Sequence, residues 1–172
     1  ELQGAVALAQ LEKLTDIVLR RRRWCQRLSE RLQGIEGVLL PQPTPGCNPS
    51  WWFYMMRVVP EALGANADEF AEALRAEGLP ASAHYIGQPV YEYPIFAQHT
   101  AFERGTHAYQ SRAYGRGLCP VAEEILETSV LLAVNEGYTE QDLEETVFAI
   151  RRVAQWFRQS GKRGGAATSS SP

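Results

Sequence analysis

The first 32 residues carry apolar side chains at steps of three and four positions, interrupted once by a gap of seven. This is the pattern of an amphipathic helix. The apolar positions are Leu8, Leu11, Leu14, Val18, Cys25, Leu28 and Leu32. One continuous helix of this size would be roughly 48 Å long at 1.5 Å per residue. We expect such a helix to bridge two bodies, and its uncapped beginning at Glu1 indicates a start inside a larger chain.

Beyond Gly34 and Gly37 the pattern changes to short strands alternating with helices. Apolar and β-branched runs predict strands at 38–40, 51–59, 80–85 and 128–134. Helices are predicted from Asn66 or Ala67 to Gly78, from Pro120, and after a cap at Thr139. The predicted fold class is α/β, with a small α+β domain whose sheet is covered by helices. We expect an interdomain helix at 1–33, a small domain at 34–159 and a disordered Gly/Ala/Ser-rich tail at 160–172.

Composition excludes several classes of function. A chain of 172 residues that is 45% hydrophobic can bury one core, and a net charge of −3 argues against a nucleic-acid partner. No apolar run approaches the roughly 20 residues that span a bilayer, so no membrane partner is expected. The three cysteines are far apart, which fits a reducing cytoplasm, and their spacing does not fit zinc.

Candidate binding residues cluster around a long aromatic loop, residues 86–118. His84 and Tyr85 end a predicted strand and open this loop, which is a typical place for ligand contact. The alternative for His84 is a histidine bonded to nearby backbone. The run Arg20–Arg23 predicts a basic solvated face, because four consecutive helical residues point in four directions. Trp51–Tyr54 is a possible stacking platform, half of which alternation would place in the core.

Five motifs together resemble one enzyme family. In order they are E-L-Q-x-A-V-A-L-A-Q-L, S-W-W-F-Y-x-x-R-V, E-G-L-P-A-S-A-H-Y, C-P-V-A-E-E and N-E-G-Y-T-E-Q-D-L. Their order and spacing are similar to the C-terminal portion of DegT/DnrJ/EryC/StrS sugar aminotransferases. The resemblance implies an aspartate-aminotransferase-like fold (fold type I), in which a long helix joins a large cofactor domain to a smaller C-terminal domain. It also implies a homodimer whose subunits share each active site.

The same resemblance implies chemistry that depends on pyridoxal 5'-phosphate (PLP). Family members move an amine from glutamate or glutamine to a keto-sugar, often nucleotide-linked, or to a keto-cyclitol, in amino-sugar, polysaccharide or antibiotic biosynthesis. The catalytic lysine is expected upstream, since the lysines here, Lys13 and Lys162, do not match its position. We therefore expect no catalytic residue in this chain and no activity from it alone. His84, Tyr85 and Tyr91 are the implied substrate-binding residues.

Two alternatives remain open. Some members of the family use PLP for sugar dehydration, with a histidine in place of the lysine, and nothing in these 172 residues separates the two reactions. The second alternative is that the chain is a non-catalytic α+β module for dimerisation or binding.

Overall fold

Two helices open the chain. The computed structural model describes residues 1–100 and 113–166, with side chains up to residue 160. Helix α1 spans Leu2–Leu11 and α2 spans Leu14–Leu32, so the prediction of one continuous helix is wrong. At the break the Lys13 amide donates to the Gln10 carbonyl, a tight i→i−3 turn in place of the helical i→i−4 bond. Neither glycine nor proline occurs at this point, and the apolar periodicity continues through it.

The two helices differ sharply in burial. Helix α1 buries none of its residues, whereas α2 buries Trp24, Cys25, Leu28 and Leu32 in the core. The C-terminal half of the opening stripe therefore packs against the sheet domain. The bridging role of this region and the boundary at residue 33 remain predictions.

A four-stranded antiparallel sheet forms the centre of the fold, in the order β1-β2-β4-β3. The strands are β1 Val38–Leu39, β2 Phe53–Val58, β3 Ala81–Ala83 and β4 Ser129–Ala133. They lie within the four predicted runs and are shorter at the ends. Alternation along β2 buries Tyr54, Met56 and Val58. Within the predicted stacking platform Trp51–Tyr54, only Tyr54 is fully buried, and Trp52 is 66% exposed.

Helices pack around this sheet. They are α3 Pro60–Leu63, α4 Ala67–Ala76, α6 Pro120–Thr128 and α7 Glu140–Ala166, of which α4 and α7 contact each other and α2 contacts α7. Of these, α3, α4 and α7 contribute buried residues to the core. Helix α4 begins with a capping box between Asn66 and Glu69, and the chain leaves it through Gly78, whose φ of 92° is left-handed. The predicted fold class, a small sheet covered by helices, is confirmed.

The remaining segments are the aromatic loop and the C-terminus. The loop contains a 3₁₀ turn at Val90–Glu92 and the short helix α5 at Pro94–Ala97, and residues 101–112 lie outside the described residues. Helix α7 continues past Ser160, where the sequence predicts a tail, because extending an established helix costs little. The tail prediction is thereby restricted to 167–172, which also lie outside the described residues. No helix within the described ranges has the length and apolarity needed to cross a membrane.

Candidate substrate-facing site

His84 lies at the end of β3 in a left-handed backbone conformation, with φ of 52°. Its Nδ1 is 3.1 Å from the carbonyl oxygen of Leu126 in α6, and its Nε2 is 3.0 Å from Oδ2 of Asp68 in α4. The ring is therefore oriented by two helices that flank β3. A histidine bonded to backbone was the alternative to ligand contact, and the structure shows such a bond together with a carboxylate.

The partners of His84 restrict its chemistry. A carbonyl oxygen and an ionised carboxylate can only accept hydrogen bonds, so both contacts form together only when the ring carries two protons. The side chain of His84 is 37% exposed and that of Asp68 is 71% exposed, so the pair is open to solvent. An oxygen of a ligand can therefore compete with Asp68 for Nε2 without opening a buried contact.

Tyr85 belongs to an exposed aromatic cluster. Its ring lies 5.8 Å from the ring of Trp52, edge to face, and 5.8 Å from the ring of Phe53. Tyr85 is 56% exposed and Trp52 is 66% exposed, so the cluster presents a broad apolar surface to solvent. Edge-to-face packing at this separation is a favourable aromatic geometry and fixes the rings relative to one another.

Tyr91 is engaged within the protein. Its hydroxyl donates to Oε1 of Glu123 at 2.5 Å and accepts from the Cys119 amide at 3.3 Å. Desolvation and the bond to Glu123 raise the pKa of Tyr91 to about 12. The same hydrogen bond, helped by the backbone amide of Gly117, holds the pKa of Glu123 below its usual range.

His84 and part of the aromatic loop line one small cleft of about 60 Å³. The ionisable side chains in its wall are His84, Glu92, Arg116, Glu123 and Glu127. A cleft of this size has room for ordered water or a small polar group. Tyr85 does not line it. The structure brings His84 next to Glu123, the partner of Tyr91, and leaves Tyr85 on the neighbouring aromatic surface.

A larger cleft of about 500 Å³ lies elsewhere, between α2 and the connection from β4 to α7. Two of its arginines pair with carboxylates of the same wall, Arg20 with Asp16 at 2.8 Å and Arg27 with Glu140. Arg23 lines it as well. Size alone does not make it the better site, and we assign ligand contact to the smaller cleft and the aromatic surface beside it.

The described residues do not form a PLP site by themselves. Lys13, the only lysine whose side chain is described, lies exposed at the break between α1 and α2, far from a position enclosed by the sheet domain. The side chains that the structure describes therefore include no buried lysine that could carry the cofactor.

The sequence does not predict three charged residues as part of the site: Glu123 and Arg116 in the cleft wall, and Asp68, which contacts His84. The sequence shows Glu123 only as an acidic residue favoured by the start of a helix, and Asp68 as one of the first residues of α4. Arg116, which pairs with Glu127, lies near the C-terminal end of the aromatic loop. No sequence signal links these residues to His84 or Tyr91, because the contacts depend on how α4 and α6 pack around β3.

The chain is similar in sequence to known proteins. The sequence profile of the DegT/DnrJ/EryC1/StrS aminotransferase family matches residues 1–151. An uncharacterized protein of Methanocaldococcus jannaschii is 24% identical over 153 residues, 89% of this chain and 36% of its own length. A dTDP-4-dehydro-2,6-dideoxy-D-glucose 3-dehydratase of Saccharopolyspora spinosa is 42% identical over 62 residues, 36% of this chain and 13% of its own length.

A solved structure shows the same fold. DesV of S. venezuelae, in complex with a ketimine intermediate, superposes with a TM-score of 0.71 at 24% identity, over 89% of this chain and 36% of that one. This chain spans about a third of the length of the first relatives and structures that it matches. The profile covers most of the chain and the fold agrees with it. The chain belongs to the DegT/DnrJ/EryC1/StrS aminotransferase family.

Proposed function

We propose that this chain forms the substrate-facing C-terminal portion of a PLP-dependent aminotransferase. The complete enzyme moves an amine from glutamate or glutamine to a keto-sugar, often nucleotide-linked, or to a keto-cyclitol. The observation that carries the proposal is the family match over residues 1–151, combined with a chain that spans about a third of its relatives. The cofactor lysine is supplied by another part of the full-length protein, which acts as a homodimer.

His84 and Tyr85 supply the contacts to the acceptor. When its ring carries two protons, His84 donates from Nε2 to a hydroxyl or keto oxygen that replaces Oδ2 of Asp68, while the Leu126 carbonyl keeps the ring oriented. The surface formed by Trp52 and Tyr85 packs against the C–H face of the sugar ring, as aromatic side chains do in many ligand sites. The small cleft takes one polar substituent of the same ring.

PLP, when bound, supplies the electron sink for moving the amine between donor and acceptor. The residues of this chain bind and orient the acceptor. Removing these residues should therefore slow the half-reaction with the keto acceptor more than the half-reaction with the amino donor.

The test is His84→Ala in the protein expressed from its complete coding sequence. The two half-reactions are followed separately by cofactor absorbance, first with the amino donor and then with the keto acceptor. Losing a hydrogen bond from a charged group costs about 1.5–3 kcal/mol, or roughly 10- to 150-fold. We expect this loss in the acceptor half-reaction and a donor half-reaction within about twofold of wild type.

The matched control is His99→Ala. His99 also has a left-handed φ, of 54°, and does not line the His84 cleft. It should leave both half-reactions near the wild-type rates. Equal losses in both half-reactions of His84→Ala would instead assign His84 to folding or to the cofactor.

Dehydration is the second candidate, and a specific observation favours it. The segment of 62 residues that is 42% identical to the Saccharopolyspora spinosa 3-dehydratase has the highest identity among the relatives described above. Incubation of the complete protein with a keto-sugar separates the two reactions. Transamination requires an amino donor and gives an amino-sugar, whereas dehydration releases water and gives a deoxy product that contains no added nitrogen.

A further inference from the structure

The carboxylate of Glu123 connects three separate pieces of the chain. Its Oε1 accepts from the Tyr91 hydroxyl at 2.5 Å, and its two oxygens accept from the Gly117 amide at 2.7 and 3.0 Å. The Tyr91 hydroxyl in turn accepts from the Cys119 amide at 3.3 Å. We call the set Tyr91, Gly117, Cys119 and Glu123 the carboxylate clamp.

Each member of the clamp sits where its local structure requires it. Glu123 lies in the first turn of α6, where a negative charge is favoured by the unpaired amides and the helix dipole. Gly117 has a φ of 90°, a left-handed conformation that glycine adopts without strain and that directs its amide to the carboxylate. Tyr91 lies in the 3₁₀ turn at Val90–Glu92, which begins after Pro89.

The hydrogen-bonding capacity of the Tyr91 hydroxyl is largely used by these contacts. A phenol has one proton to donate, and Tyr91 donates it to Glu123 while accepting from Cys119. Because the pKa of Tyr91 is raised to about 12, the phenol keeps its proton at physiological pH. A substrate hydroxyl would have to displace a carboxylate to reach it, which makes Tyr91 a poor direct ligand.

The clamp holds the wall of the cleft that faces His84. Glu123 itself lines that cleft. Glu92 in the turn that Tyr91 anchors lines it too, as do Gln88 and Pro89 just before that turn. Arg116, which immediately precedes Gly117, lines it as well and pairs with Glu127. Loss of the clamp would free the turn at 90–92 and the segment 115–119 together, and the cleft would lose its shape.

We infer that Tyr91 is a positioning residue, which ties the aromatic loop to Glu123 at the start of α6 and so shapes the cleft beside His84. The clamp itself rests on the contacts above, whereas its effect on acceptor binding rests on the proposed function. The sequence predicts Tyr91 as a substrate-binding residue, whereas the contacts of its hydroxyl favour a positioning role.

The first test uses the chain alone and does not depend on activity. In amide-resolved NMR, the Gly117 signal should shift as Glu123 titrates, with the clamp formed above the lowered pKa of Glu123 and lost as the pH falls through it. In Glu123→Gln this titration should disappear. A Gly117 signal that does not follow Glu123 in the wild-type chain would overturn the clamp without any variant having to fold.

The second test compares Tyr91→Phe with Tyr93→Phe, a neighbouring tyrosine that is 45% exposed and does not line the cleft. Hydrogen exchange at 115–119 should become about three- to tenfold faster in Tyr91→Phe, a modest factor because the bonds are partly solvated. Tyr93→Phe should exchange at the wild-type rate. Equal rates in the two variants would overturn the coupling between the turn and α6.

The third test uses the complete enzyme. Tyr91→Phe should raise KM for the keto acceptor several-fold and leave the donor half-reaction unchanged. If the NMR and exchange results hold while acceptor KM stays at the wild-type value, the positioning role is overturned and the clamp is only structural. A wild-type protein without transaminase activity would instead contradict the proposed function and leave the clamp intact.

Discussion

Replacing Leu28 by alanine tests whether α2 is part of the sheet domain. Leu28 is fully buried in the core, alongside Cys25 and Leu32, which are also 0% exposed. Truncating such a leucine loses its transfer free energy and leaves a cavity, and the sum is about 2–5 kcal/mol. For a chain of this size each kcal/mol lowers Tm by roughly 2–4 °C, so we expect a decrease of about 4–20 °C.

Leu8→Ala is the matched control, because it makes the same substitution in α1. Leu8 is 64% exposed, and α1 buries none of its residues. An exposed substitution changes the free energy of unfolding by about 0.5 kcal/mol or less. Helix propensity changes equally in the two variants and cancels in the comparison.

The assay is urea unfolding followed by far-ultraviolet circular dichroism, at two protein concentrations. If the stability lost in Leu8→Ala grows with protein concentration, the chains associate through α1, since a partner stabilises the folded state by mass action. Two results would refute the reasoning. One is a neutral Leu28→Ala, which would remove α2 from the core. The other is a loss in the free energy of unfolding that is as large for Leu8→Ala as for Leu28→Ala and does not depend on protein concentration. That result would place α1 in the core.

Two further predictions concern a turn and a thiol. Gly37 has a φ of 83°, and an added Cβ would lie 2.6 Å from the Leu63 amide nitrogen, whereas Gly34, with φ of 79°, has open space. Thermal unfolding should therefore show Gly37→Ala to be less stable than Gly34→Ala by about 1–3 kcal/mol, and equal stabilities would contradict the contact. Burial raises the pKa of the Cys25 thiol to about 12 from an ordinary 9.0, so a thiol reagent should label exposed Cys47 in the native chain and spare Cys25. Because the folded pKa is the higher one, stability should fall as pH rises from about 9 towards 12, and Cys25→Ala should remove that part of the pH dependence.

Much of the fold could be predicted because its signals are local. The β2 alternation, the Asn66 cap of α4 and the left-handed Gly78 are each encoded within a few residues. The break at Lys13 could not be predicted, since neither glycine nor proline accompanies it and the apolar periodicity continues through it. A tight turn of this kind depends on how α1 and α2 settle against their surroundings.

The candidate site was less predictable than the fold. His84 and Tyr85 could be selected from their place at the end of a strand and from the family resemblance. Their neighbours could not, because Asp68 is 16 residues from His84 in sequence and Glu123 is 32 residues from Tyr91. Such contacts arise only when α4 and α6 are packed around β3. The structure therefore adds the partners that give each predicted residue its chemistry.

The most direct test of the central claim is the coding sequence in frame immediately before the codon for Glu1. The proposal predicts an open frame that encodes a cofactor domain and carries the lysine that holds PLP. A histidine at that position would contradict transamination and favour dehydration. A start codon with nothing in frame before it would contradict the claim that this chain is the substrate-facing portion of a larger enzyme.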